Sequence, residues 1–186
     1  MFSSRAHVSA QGKTVEVTLA GPGPAATRAV NGKGMYYSID DLKKKYQPAD
    51  AHGDYSGSDK GGAVQLAWDP EYRFTLMRRQ WFEPARKDNT GEMEHYAGSE
   101  MHENKTQIYM MMSGTGQVAL GGKPAKDHET PDGQHSGGPL AGATNYKVKP
   151  GDFVIIPPYT WHQALPDPGQ TLEYSMCHIE TRNLIP

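Results

Sequence analysis

The sequence predicts an all-β domain preceded by a short extension, and three observations carry that expectation. From residue 63 onward, apolar and polar residues alternate in short runs, the period-2 pattern of half-buried strands. The 21 glycines and 14 prolines exceed average usage, as many turns between short strands require. The length of 186 residues suits a single domain, large enough to bury about 70 % of its unfolded surface.

The elements follow in order. Residues 1–62 form the extension. Within it, Thr14-Val-Glu-Val-Thr-Leu19 alternates as a strand and Gly21-Pro-Gly-Pro24 breaks it. Ser38 stands as an N-cap with Asp41 three residues on, which predicts a helix of about two turns through Leu42-Lys-Lys-Lys-Tyr46, ending before Pro48. Residues 51–62 are polar and Gly-rich, hence a loop. Residues 63–186 form the β domain proper. Residues 64–68 and 72–81 are strands around a turn at Asp69-Pro70, and a polar segment, 83–96, follows. Strands at 116–120 and 146–149 flank a long polar insert, 121–145, read as a loop that is either a lid or a surface excursion. Its histidines, His128 and His135, are expected to be solvated. The last strand spans 172–180; on it, His178 has the parity of Tyr174 and Met176 and is open to either face.

Composition excludes several classes. The net charge is −2 and the basic residues are scattered, Lys43-Lys44-Lys45 being the one run, so there is no electrostatic footprint for nucleic acid. No apolar stretch approaches the length of a membrane span. The first residues, Met1-Phe-Ser-Ser-Arg-Ala-His7, lack the apolar core of a signal peptide, which makes a cytoplasmic location the expectation. Cys177 is the single cysteine, so no intrachain disulfide forms, and its strand context reads as a structural thiol. No Ser-His-Asp arrangement, phosphate loop or CxxC pair stands out in the sequence as a rival centre.

Two stretches carry the chemistry. The first is Gly98-Ser-Glu100-Met-His102-Glu-Asn-Lys-Thr-Gln107-Ile-Tyr109-Met-Met-Met-Ser-Gly114, and the second is Pro150-Gly-Asp-Phe-Val-Ile-Ile-Pro157-Pro-Tyr-Thr-Trp-His162. Together they resemble the paired signature of the cupin superfamily, His-x-His-x4-Glu-x6-Gly followed by Gly-Asp-x5-Pro-x4-His or close to it. The resemblance covers roughly residues 63 to 180. It implies a single cupin-type double-stranded β-helix (jelly-roll) barrel with one metal ion gripped from both motifs. His102, His162 and Gly114 match the pattern. Glu100 stands where the first histidine belongs, and Gln107 where the glutamate belongs.

The substitutions preserve one anionic ligand and move it from the fourth position to the first. Two histidines plus one carboxylate is the set that non-haem Fe(II) oxygenases use, so iron is the first expectation, with Zn, Ni or Mn as others. Gln107 is either a weak ligand through its amide oxygen or a hydrogen-bonding partner of the ligands. Alternation also turns Tyr109 and Met111 inward with Gln107. Tyr109, Met111 and Trp161 are then expected to line a pocket for a small organic substrate, with Tyr109 or His95 as proton carrier. One of Arg78 and Arg79 should point inward, to pair with an acid such as Glu100 or to hold a substrate carboxylate. The opposite face of the same strand, Ile108, Met110 and Met112, is wholly apolar and must be covered by the extension or by a partner subunit; as cupins commonly dimerise through a sheet, the resemblance implies a homodimer.

The resemblance implies a metal-dependent enzyme of oxygenase or Lewis-acid lyase/isomerase type. A barrel that binds a small ligand, or that is purely structural, without turnover is the alternative.

Overall fold

Two six-stranded, mainly antiparallel sheets face each other across one apolar core. The computed structural model describes residues 5–10, 13–18, 27–28, 36, 38, 63–68, 71–87, 93–130 and 133–181. In the extension, β1 (Arg5–Ala10) pairs with β2 (Lys13–Thr18), the strand expected there. β3 (Thr27–Arg28) runs parallel to β4 (Ala63–Trp68), which pairs with β5 (Tyr72–Gln80). β6 (Arg86–Lys87) and β7 (Met93–Glu94) form a short ladder. β8 (Ser99–His102) and β9 (Lys105–Ser113) carry the first motif, and β10 (Gly116–Leu120) follows it. β11 (Lys123–Pro124), β12 (Asp127–Thr130), β13 (Gln134–Gly137) and β14 (Leu140–Ala141) lie in the polar insert. β15 (Thr144–Val148), β16 (Phe153–Ile156), β17 (His162–Pro166) and β18 (Thr171–Glu180) complete the described strands.

One sheet has the order β12-β13-β8-β17-β10-β15 and the other β16-β9-β18-β5-β4-β3. This is the expected jelly roll. The inward residues of both sheets make the core, including Met77, Met111, Val118, Ile156, Leu172 and Tyr174. Each such side chain contributes about 1.5–3 kcal/mol on burial, so this core is what holds the two sheets together.

The motif glycine and the Gly-Asp pair have structural duties that explain their spacing. Gly114 has φ +79°, and a Cβ there would lie 1.8 Å from the Thr171 carbonyl oxygen, so no other residue fits between β9 and β18. In the second motif, the Asp152 carboxylate accepts the Lys149 backbone N–H at 3.0 Å and pairs with its Nζ at 2.8 Å. Met111 exchanges backbone hydrogen bonds with Gly151 and Asp152. The turn is thereby fixed, and β16 is laid in register on β9.

The insert corrects one expectation. It is not a loop: β12 and β13 form a hairpin that extends the sheet beyond β8, with Gln134 opposite His102 and Ser136 opposite Glu100. Polar composition misled here because an edge hairpin with solvent on one face has little apolar surface to show. His128 is exposed as expected, but His135 is buried. The outward face of β9 and β16 is apolar as read, with Phe153 opposite Met110 and Ile155 opposite Ile108. Phe153 and Ile155 stay mostly exposed. Among the described residues no helix is present; beyond Ser38, the short helix expected through Tyr46 lies outside them, as does the turn at Asp69-Pro70.

Candidate metal centre

Strand alternation gathers the candidate ligands. Glu100 and His102 share one face of β8, and His162, which opens β17, stands directly opposite Glu100. One ligand atom from each of Glu100, His102 and His162 lies within 4.8 Å of the others. The two imidazoles are buried, with ring centroids 5.5 Å apart, and the Glu100 side chain is 42 % exposed. Arg79 is the inward arginine: its Nη2 is 3.6 Å from one Glu100 oxygen, while His102 Nε2 is 3.9 Å from the other. Arg78 instead faces Glu173 at 3.9 Å.

Charge follows from these contacts. Burial disfavours the Glu100 anion, but Arg79, His162 and His102 outweigh it and hold the carboxyl below its ordinary value. Burial lowers His102 to about 4 despite the attraction of Glu100. His162 is lowered and His178 well lowered, again chiefly by burial. At neutral pH the cluster therefore holds one carboxylate and neutral imidazoles.

The donor set fits a divalent cation. The Thr160 carbonyl can only accept, so His162 Nδ1 carries the proton it donates there at 3.0 Å. Its Nε2 is left as a lone pair, buried and without a hydrogen-bond partner. A neutral imidazole lone pair beside an ionised carboxylate is what metal binding requires. Glu100, His102 and His162 could thus hold one ion.

Gln107 takes the second of its two expected roles. It is fully buried, and its amide nitrogen donates to His102 Nε2 at 2.6 Å and to His178 Nε2. Its oxygen accepts the Tyr109 hydroxyl at 2.9 Å. With this amide orientation Gln107 presents N–H groups to the histidines, and it competes with any ion for His102 Nε2. His178 is the residue that sequence reasoning left unassigned; it lies opposite Gln107 in the β18–β9 ladder, so the parity it shares with Tyr174 and Met176 was the available signal.

The remaining candidates divide. Tyr109 is buried, faces His162 edge-on and packs on Tyr174 at 4.5 Å. Met111 lies two residues along the same face, in the apolar core, where it fills space. Trp161 does not face inward: preceding His162, it turns to the other side of the sheet and meets His135 edge-on at 6.0 Å. His95 is not brought to the cluster either. Its ring stacks on Trp81 at 4.3 Å and its Nδ1 is bonded to the Phe82 carbonyl at 2.7 Å.

A family profile described as the AraC-like ligand binding domain matches residues 86–185, more than half of the chain. The chain belongs to this family. The AraC-like barrel is cupin-type, which agrees with the motif reading. Its fold is similar to that of BH2720 from Bacillus halodurans, at 15 % identity, 82 % of this chain, 86 % of that one and a TM-score of 0.50. A double-stranded β-helix protein from Klebsiella pneumoniae matches at 11 % identity, 81 % and 93 % coverage and TM-score 0.47. A cupin protein from Bacteroides fragilis matches at 12 %, 69 % and 85 %, and 0.40. No curated protein matches the sequence.

Proposed function

We propose that this barrel is a metal-dependent cupin enzyme for a small organic substrate, with Glu100, His102 and His162 as ligands of one divalent ion. The observation that carries the reading is the buried, unpartnered His162 Nε2 beside an ionised Glu100. When bound, such an ion would polarise a substrate oxygen as a Lewis acid, and iron would add oxygenase chemistry. The protein's own groups have separable roles. Arg79 keeps Glu100 ionised, and the Thr160 carbonyl fixes the tautomer of His162. Burial raises Tyr109 well above 10, so its hydroxyl keeps its proton at neutral pH and acts as a donor rather than a base. The amide of Gln107 cannot accept a proton, so Gln107 serves no base role, and a proton released by the substrate passes to solvent at the exposed side of Glu100.

A ligand-binding barrel without turnover is the second reading. It is favoured by Gln107, whose amide satisfies His102 and His178 at once, and by Arg79, which balances Glu100 with no ion present. Elemental mass spectrometry on protein purified without chelator separates the two. Near-stoichiometric metal, absent from His102→Ala and His162→Ala, supports the enzyme reading. A folded protein that takes up no metal at this cluster on reconstitution overturns it and leaves the second. We also propose a homodimer, supported by the exposed apolar pair Phe153 and Ile155. Light scattering should give twice the chain mass for the native protein and the chain mass for Phe153→Asp/Ile155→Asp.

A further inference from the structure

A second group of metal-ligating side chains lies on the opposite face of the same sheet. Ligand atoms of Glu103, Glu129 and His135 fall within 4.8 Å of one another. The fold places them there by register. Glu129 stands directly across the β12–β13 hairpin from His135, and Asp127 shares the face of Glu129 two residues away. Glu103 comes from the turn after β8, where its backbone N–H donates to the Gly133 carbonyl at 3.0 Å. Gly133 leaves room for the carboxylate: a Cβ there would lie 3.0 Å from Glu103 Oε2.

The acids alone would mean little, since exposed carboxylates often sit near each other. The imidazole adds an independent observation. His135 is only 8 % exposed, and its Nδ1 is bonded to Asp127 at 3.0 and 3.2 Å. Its Nε2 is buried without a hydrogen-bond partner and faces Glu103 Oε1 at 3.5 Å. A carboxylate on one ring nitrogen, with the other aimed at further carboxylates, is the arrangement that orients metal-binding histidines.

We propose that His135 Nε2, Glu103 and Glu129 form a second divalent-cation site, with Asp127 orienting the imidazole. One imidazole and two carboxylates, open to solvent on the Glu129 side, suit a borderline ion such as Zn(II) with water completing its shell. The ion fastens the β12–β13 hairpin to the β8–β9 turn, and so to the strand that carries Glu100 and His102. The inner cluster is on the other face and shares no ligand with it.

The test is Zn(II) stoichiometry on the full chain, by elemental analysis after equilibrium dialysis. It is run in the native protein and in a His162→Ala background, so that failure of the inner site does not hide the result. In both, His135→Ala should bind one equivalent fewer. Glu129→Gln, an exposed change that leaves the fold intact, should weaken that equivalent about tenfold or more. Equal stoichiometry and affinity with and without these substitutions overturns the site, and the group is then an imidazolium held between carboxylates.

Discussion

His102 and Glu103 are neighbours in the chain, yet they serve opposite faces of one sheet. The histidines on those faces, His102 and His135, expose little surface of their own, 7 % and 8 %, but His102 lies deep among protein atoms and His135 close to solvent in the edge hairpin. Their proton affinities differ. Inside, burial dominates and His102 falls to about 4: the Glu100 carboxylate pulls it up, but His162 and Lys105 add to the lowering. Outside, burial also pulls His135 down, but the bond to Asp127 and its charge, the close Glu103 carboxylate and the charge of Glu129 overcome it and raise the ring above its ordinary value. Exposed surface alone therefore does not decide the state of an imidazole. Depth from solvent, together with the number of anions facing the ring, does.

The inner cluster is the place to push hardest on this comparison, because its single carboxylate has been moved rather than lost. Glu100→Gln removes the only anionic ligand and should weaken inner metal binding about a hundredfold, whereas Gln107→Glu restores a carboxylate and should strengthen it about tenfold. Competition with a chromophoric chelator reads both. The outer equivalent should respond to neither, since Glu100 and Gln107 face away from His135. Affinity unchanged in both variants would remove the metal from Glu100, His102 and His162.

Acid should next expose the difference in proton affinity. Unfolded imidazole takes up its proton near 6.5, while folded His102 resists until about 4. Between those values the unfolded state binds more protons, so stability is full above pH 6.5 and falls as pH drops toward 4, by on the order of 3 kcal/mol. His162 and His178 act in the same direction, and Glu100, whose folded value is depressed, adds a loss at still lower pH. Urea unfolding of chelator-treated protein at pH 7.5 and 4.5 measures this. His135, raised, acts the opposite way, so the comparison is made in His135→Gln; equal stability at the two values there would mean that the inner rings are already charged.

The two faces also differ in how far they could be read from sequence. The inner face was legible because its determinants are local: period-2 alternation sends Glu100 and His102, then Gln107 and Tyr109, to one side, and two glycine-anchored turns bring His162 across. Arg79 was legible for the same reason, one of two adjacent strand arginines being bound to face in. His178 was not, since choosing its side required the β18–β9 register. The outer cluster was hidden by its own composition. Asp127, Glu129 and His135 sit in a polar, Gly-rich stretch that reads as loop, and only the pairing of β13 with β8 buries the histidine. Trp161 was drawn inward by its neighbour His162, although alternation puts adjacent residues on opposite sides. His95 was judged by its closeness to the motif in sequence, when Trp81 and Phe82 in fact hold it.

Hydrogen-bond acceptors on the two faces give a smaller contrast. Tyr109→Phe leaves the Gln107 oxygen buried without its hydroxyl donor and should cost about 1–3 kcal/mol. Asp127→Asn alters an acceptor that is 48 % exposed and open to water, so the metal-free protein should change by about 0.5 kcal/mol or less. Chemical denaturation at pH 7.5 compares the pair. Equal costs would show that solvent reaches Gln107.

The smallest expected effect concerns how each face braces its histidine. His135 is braced by a side chain, Asp127, whereas His162 on the inner face is braced by backbone. The Tyr159 N–H donates to the His102 carbonyl at 2.8 Å, and the next residue supplies the carbonyl that holds His162. This turn requires φ 60° at Tyr159, a left-handed conformation that costs a residue with Cβ roughly 1 kcal/mol. The tyrosine ring is 67 % exposed, so little packing compensates within the chain. Tyr159→Asn, which tolerates that conformation, should therefore raise stability by about 0.5–1 kcal/mol and leave metal stoichiometry unchanged. A fall in stability would show that the ring makes a contact worth more than the strain it sits on, and would place Tyr159 among the groups that a ligand or second copy meets.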